Sequence, residues 1–306
     1  MAFAAFGGAA ARAAAEPAPL KKGAVAIGLL APGVAYLLLF FLTPLIALVF
    51  TSFEQPASSG AIGAYVPGFR WQNYGEALAT YWPHFARSFG YALIATVAAL
   101  LIGYPVAYFI GVTARRWPLL QSLALVLVIA PFFISFLLRT LAWQQILGTN
   151  GWIVAALHGL GWLGPNEGIV GTDFSVVFGL TYNFLPFVIL PLYTSLERLD
   201  IRCLEAGSDL YASPATRFLR ITLPLSAPGV VSGTLLTFIP AAGDYINADQ
   251  QYLGSPNTAM VGNVIQGTFL NSQQYPLASA ISVALMVIVL VIVAIYIRFA
   301  GTEDLV

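Results

Sequence analysis

The sequence predicts an all-α protein that crosses a membrane six times. Three observations carry that expectation. Only 8% of the 306 residues are charged, against 59% hydrophobic, whereas soluble domains carry about a quarter charged residues. The mean hydropathy is +0.83. Six apolar runs are each long enough to cover a hydrocarbon core of about 30 Å at about 1.5 Å per residue. Too few charges remain to coat a soluble globule, and the apolar content excludes disorder. Lys+Arg and Asp+Glu balance at 13 each, so the basic excess of a nucleic-acid binder is missing.

The six runs are 24–50, 88–113, 117–138, 174–196, 226–246 and 277–297. Prolines interrupt several, at Pro32 and Pro44, Pro105, Pro131, Pro186 and Pro191, and Pro240. Such breaks are tolerated where the freed backbone faces protein or a watery path. Residues 1–22 read as a flexible tail, 23–300 as the six-span domain and 301–306 as a second tail. The run after residue 22 is too long for the apolar core of a cleaved signal.

Basic residues set the orientation. Arg12, Lys21, Lys22, Arg115, Arg116, Arg198, Arg202, Arg217, Arg220 and Arg298 fall on one side of the six runs; Arg70, Arg87 and Arg139 are left for the other. Both termini are therefore expected in the cytoplasm. The opposite loops hold Trp71, Trp82, Trp143, Trp152 and Trp162, as an interfacial aromatic belt requires.

The chemistry available to the chain is narrow. Cys203 is the single cysteine, and His84 and His158 are the two histidines, which leaves no zinc-ligand spacing. The two lysines, Lys21 and Lys22, close no G-x-x-x-x-G-K-[ST] loop, so ATP is not held in a P-loop of this chain. No nucleophile–base pair or paired carboxylates lie within the runs. A catalytic role is not expected.

The longest cytoplasmic loop, 196–228, reads as helix–turn–helix. Asp200 is placed to cap a helix running to about Leu210. Ser213 followed by Pro214 reads as N-cap and first position of a second helix, ending before Pro224. Within it stand Glu205-Ala206-Gly207, then Tyr211, then Ile221-Thr222-Leu223-Pro224. This pattern resembles the loop E-A-A, three residues, G, nine residues, I-x-L-P of binding-protein-dependent ABC importer permeases. Gly207 stands for the second alanine and Tyr211 for the turn glycine. Tyr211 must then take the turn conformation at some cost, avoid positive φ, or leave the turn to Ala212-Ser213-Pro214.

The segments 131–143, 182–193, 238–245 and 261–265 are similar to the spermidine/putrescine type of that family. The resemblance implies a type I ABC importer permease fold. It implies a cytoplasmic coupling contact made by Glu205, Ala206 and Gly207, flanked by Arg217, Arg220, Leu223 and Pro224, and seated on a separate ATPase. Two ATPase subunits would bind ATP and Mg, with no cofactor in this chain. A related but distinct second permease chain, a solute-binding protein outside and the lipid bilayer of a bacterial cell membrane are the other implied partners.

Polycations need carboxylates and aromatic faces along their path. Asp244 with Tyr245, Tyr182 with Asn183, and Asp249 at the outer mouth are the suitable groups. An ionisable residue at membrane depth marks function by default, but Asp244 equally fits the end of a helix in the headgroup zone. Arg139 is expected to snorkel to headgroups, or to pair with Asp244 or Asp173. Residues 250–276 are too polar to span and hold a short helix near 260–270, with Asn263 and Gln266 facing either the mouth or a plain surface loop. An ion-coupled secondary carrier, and an ABC permease for another small solute, are the competing functions.

Overall fold

A computed structural model describes residues 23–58, 61–164 and 167–300. The expected tails at 1–22 and 301–306 lie outside the described residues. The chain divides into two units, Met1–Leu48 and Val49–Val306.

In the first unit, α1 (Gly23–Leu37) passes through a π-turn (Leu38–Leu42) into α2 (Thr43–Thr51), which runs on into the second unit. Proline explains the π-turn. Pro44 donates no N–H, and its ring crowds the carbonyl four residues back; widening the ladder there relieves the clash. Leu38 O then accepts both the Thr43 N–H and, at 3.3 Å, its hydroxyl.

The second unit opens with a hairpin pairing Gln55–Pro56 with Tyr65–Val66. Its helices come in the order α3 (Gln72–Tyr108), α4 (Pro118–Ile129), α5 (Phe136–Leu147), α6 (Trp152–Gly159), α7 (Asp173–Glu197), α8 (Ile201–Asp209), α9 (Pro214–Arg217), α10 (Leu223–Leu225), α11 (Ala227–Ala242), α12 (Val261–Gln266) and α13 (Tyr275–Ala300). Among the described residues four helices are long and apolar enough to cross a membrane. The number is six if each of two bent pairs counts as one span.

Helices α3, α7 and α11 pack on one another, with α13 against α3. One cluster joins Tyr91, Ala92 and Ala95 of α3 to Val176, Leu180 and Phe184 of α7 and Ala241 of α11. A second joins Ala99 and Ala107 to Val188, Ile189, Leu192 and Leu196. Alanines on α3 let the α7 backbone approach, which is how membrane helices gain dispersion contact without a hydrophobic drive.

Three boundaries differ from the sequence expectation. Helix α3 starts at Gln72 rather than near residue 88, because Ala77 and Phe85 bury against Ala280, Ile281 and Ala284 of α13. Charged Glu76 and Arg87 ride on its other faces. The third span is not straight to 138. A 3-10 turn (Ala130–Phe133) holding Pro131 leads into extended Ile134 and Ser135, and the chain bends by 96° into α5. The helix that begins at α9 does not stop before Pro224. It widens into a π-turn (Phe218–Thr222), carries Pro224 within α10, and bends by 66° at Ser226 into α11. The spacing from π-turn to proline matches that before Pro44, and the cause is the same.

Candidate functional site

Helix α8 is set by caps and one glycine. Asp200 accepts from the Arg202 N–H at 3.0 Å, satisfying a first-turn donor. Ser213 accepts from the Thr216 N–H at 3.2 Å, with Pro214 as the first residue of α9. Gly207 is buried, and a Cβ there would stand 2.8 Å from Cδ1 of Ile221 and 3.3 Å from Cγ of Arg217. Glycine at this position therefore lets α8 close onto the arm formed by α9 and α10. Glu205 and Ala206 are exposed. Arg217 is half-buried, while Arg220, Leu223 and Pro224 are exposed.

Tyr211 settles the turn question. Its φ is +57°, the left-handed conformation that glycine takes in the family pattern, and its side chain is 98% exposed beside Leu210 at 81%. A non-glycine residue there costs about 1–2 kcal/mol. Tyr211→Gly is expected to stabilise the purified protein by about 1 kcal/mol after the added chain entropy is subtracted, read as a higher thermal unfolding midpoint. A lower or unchanged midpoint would show that the turn is not strained.

The arm is tied to the spans by residues that carry no signal of their own in the sequence. Ser226, buried at the bend, shares a 2.7 Å hydrogen bond with the Tyr104 hydroxyl on α3. Phe218 packs edge-on against Tyr104 and Tyr108, with ring centroids 5.3 and 6.4 Å away. Arg115, at the end of the same span, donates to the carbonyls of Glu197 and Leu199 at the end of α7 and just past it. The arm that α8 packs on is thus bonded to α3 and continues into α11.

The expected solute-path residues do not form one cluster. Asp244 is 7% exposed, in the turn after α11. Its carboxylate accepts from the Asn247 N–H at 2.8 Å and the Asn247 side-chain amide at 3.2 Å. Asn183, 1% exposed, donates to Asn247 Oδ1 at 3.0 Å and to Thr140 Oγ1 at 3.1 Å. Asp244 and Asn183 therefore belong to one buried network across α5, α7 and the turn after α11. Gly262 completes it: a Cβ there would sit 2.6 Å from the Asp244 carbonyl oxygen, so α12 packs directly on that backbone.

Tyr182 packs edge-on against Trp143 of α5, with ring centroids 5.2 Å apart. Tyr245 is exposed, and its carbonyl accepts from Asn263 at 2.6 Å. Asp249 accepts from the Gln251 N–H at 2.7 Å and borders a polar pocket of ≈ 400 Å³ with Gln250, Ser255, Asn263 and Gln266. The short helix expected near 260–270 is present as α12 and the π-turn (Gly267–Asn271) after it.

Arg139 departs from expectation. It is 8% exposed rather than snorkelled, lies 5.5 Å from the Phe136 ring centroid, and its Nε and Nη1 have no partner among the described residues. It pairs with neither aspartate: Asp173 takes the Tyr91 hydroxyl at 2.6 Å. The bend before α5 explains this, since it turns Arg139 inward rather than along a straight span toward headgroups.

A permease of Haemophilus influenzae, the spermidine/putrescine transport system permease protein PotB, is 40% identical over 205 residues, 67% of this chain and 70% of that protein. PotB of Salmonella typhimurium is 35% identical over 266 residues, 87% of this chain and 90% of the relative. The chain belongs to the PotB family of transport-system permeases. No family model matches it. The inner membrane ABC transporter permease protein YdcU of Escherichia coli is more distant, at 28% over 230 residues. A bacterial ABC transporter involved in import of the acidic polysaccharide alginate shares the fold, with TM-score 0.64 at 17% identity over 92% of this chain and 96% of that one. The inward-facing MetNI methionine transporter aligns with TM-score 0.50 at 18% identity, over 73% of this chain and 93% of that one. The all-α, multi-pass permease fold and the ABC importer family expected from the sequence are thus established. As a PotB-family permease the chain is a transport component and not an enzyme.

Proposed function

We propose that this permease carries polyamines of the spermidine/putrescine class into a bacterial cell, driven by ATP hydrolysed in partner subunits. The observation that carries the solute class is the 35% identity to a spermidine/putrescine permease across 266 residues. The observation that carries the drive is α8, a capped helix with Glu205 and Ala206 exposed and packed on an arm bonded to α3. In this reading α8 seats on one of two ATPases, which bind ATP and Mg. A PotC-like second permease completes the path, and an extracytoplasmic binding protein delivers the solute. Both termini are read as cytoplasmic in this proposal, on the excess of basic residues expected on that side.

Closure of the ATPases would push α8, and Tyr104, Ser226 and Phe218 would pass the displacement to α3 and α11, rocking the spans between inward- and outward-open states. Asp249, Tyr245, Asp244, Tyr182 and Asn183 are the groups proposed to meet the polycation, Asp249 at the mouth and Asp244 deeper. The test is uptake of radiolabelled spermidine into proteoliposomes holding the assembled transporter, with ATP inside or outside. ATP-dependent spermidine uptake is the expected result. Uptake driven by an ion gradient without ATP would favour a secondary carrier instead. ATP-driven uptake of a different solute alone would keep the family and replace the substrate.

A further inference from the structure

The turn that joins α3 to α4 lies against α8 in a pocket of ≈ 540 Å³, lined by Val112, Arg115, Arg116, Leu204, Glu205 and Arg217 among others. We propose that this pocket holds the phosphate of an anionic phospholipid, wedged between the end of the second span and the coupling helix. The inference is independent of the transported solute.

Charge is the first argument. Three guanidinium groups and one carboxylate line the pocket, and Arg70–Glu76 is the single ion pair among the described residues, so Glu205 forms a salt bridge with none of the three and its charge offsets at most one of them. Arg115 is held by the Glu197 and Leu199 carbonyls at the C-terminal end of α7, whose dipole partly offsets its charge, so Arg116 and Arg217 carry most of the free positive charge. Arg217 makes only a 3.5 Å contact to the Leu204 carbonyl. Like charges gathered in a half-buried pocket repel, and an anion between them relieves that repulsion. Guanidinium forks match phosphate oxygens in pairs, which a carboxylate at the rim does not prevent.

Position is the second argument. Residues 114–117 are the short link between two spans, so they sit at the membrane boundary. Trp117 is exposed there, with the Arg116 guanidinium 5.9 Å from its ring centroid. Tryptophan at this depth marks the headgroup layer. Val112, Ile201 and Leu204 give the same pocket an apolar wall, suited to the glycerol and first methylenes of a lipid and useless to a free phosphate. Basic pockets beside spans at such a boundary are where anionic headgroups concentrate.

The experiment is native mass spectrometry of the assembled transporter, purified from membranes containing phosphatidylglycerol and cardiolipin. The wild type is expected to retain anionic phospholipid. Arg116→Gln should lower its occupancy about fivefold, the contribution of one basic side chain near an anionic surface. Arg116→Lys should restore part of it, and Arg70→Gln, outside the pocket, should change nothing. Equal retention in Arg116→Gln would overturn the proposal. Displacement of the lipid by millimolar inorganic phosphate would overturn the lipid assignment in favour of a soluble anion. Retention only after the ATPases are stripped away would assign the pocket to protein docking and overturn it as well.

Discussion

Replacing Glu205 with lysine is expected to reduce ATP-driven uptake to background, more than about tenfold, while the chain still inserts into the membrane. Glu205 stands on the exposed face of α8, and no group among the described residues pairs with it. Its carboxylate is free for a partner, and reversing its charge sets like against like in any docking site built for an acid. Helix propensity should not change, because an exposed helical lysine is close to glutamate; Glu205→Gln, which removes the charge without adding a cation beside Arg115, Arg116 and Arg217, controls for repulsion within the loop. Three measurements separate the cases: membrane yield, ATPase co-purification and uptake. Loss of co-purification with normal yield is the expected pattern. Wild-type uptake by Glu205→Lys would remove Glu205 from the coupling contact. Lost yield would make the residue structural instead.

The spans were legible because hydrocarbon imposes a length and a composition that sequence shows directly. The caps at Asp200 and Ser213 were legible for a similar reason, since each is a local bond spanning two or three residues. The features that escaped were set by prolines acting within context. Pro131 and Pro224 both sit in apolar surroundings, yet Pro131 leads through extended backbone into a 96° bend, whereas Pro224 is carried inside a helix that bends by 66° only after it, at Ser226. The difference lies in the neighbouring backbone. Extended Ile134 and Ser135 come after Pro131, whereas a π-turn precedes Pro224 and absorbs the clash. Helix α3 also began earlier than hydropathy suggests, because a helix buried on one face against α13 needs no uniform apolar run.

The site divides along the same line. Glu205-Ala206-Gly207 is contiguous, so its pattern is readable. The contacts that tie the loop to the spans are not: Tyr104 and Ser226 are separated by 122 residues, and nothing in either local sequence announces the pair. Asp244 stood out as a lone acid, but its environment depends on Asn247, Asn183 and Thr140, drawn together over separations of 43 and 64 residues. A weak signal was present all the same. Asn183 and Thr140 are polar residues beside or within apolar runs, and such residues hydrogen-bond across helices.

Asp244→Ala is expected to cost far more than Asp244→Asn, and the comparison decides what the carboxylate does. Alanine leaves the Asn247 N–H and side-chain amide without their acceptor in a buried turn, at about 1–3 kcal/mol for each orphaned group. The loss should spread, because Asn247 is the acceptor for Asn183, which in turn holds Thr140. Asparagine keeps the shape and one acceptor oxygen for the Asn247 N–H, so most of that scaffold survives while the charge is gone. Stability and uptake then separate. If Asp244 meets the solute, Asp244→Asn keeps a near-wild-type unfolding midpoint yet lowers uptake of a polycation more than that of a neutral solute. If Asp244 only holds its turn, Asp244→Asn transports like the wild type and Asp244→Ala loses stability and uptake together. Thermal unfolding of the purified variants, set beside spermidine uptake in proteoliposomes, reads both outcomes. Equal loss of stability in the two variants would refute the network as drawn from the Asn247 contacts.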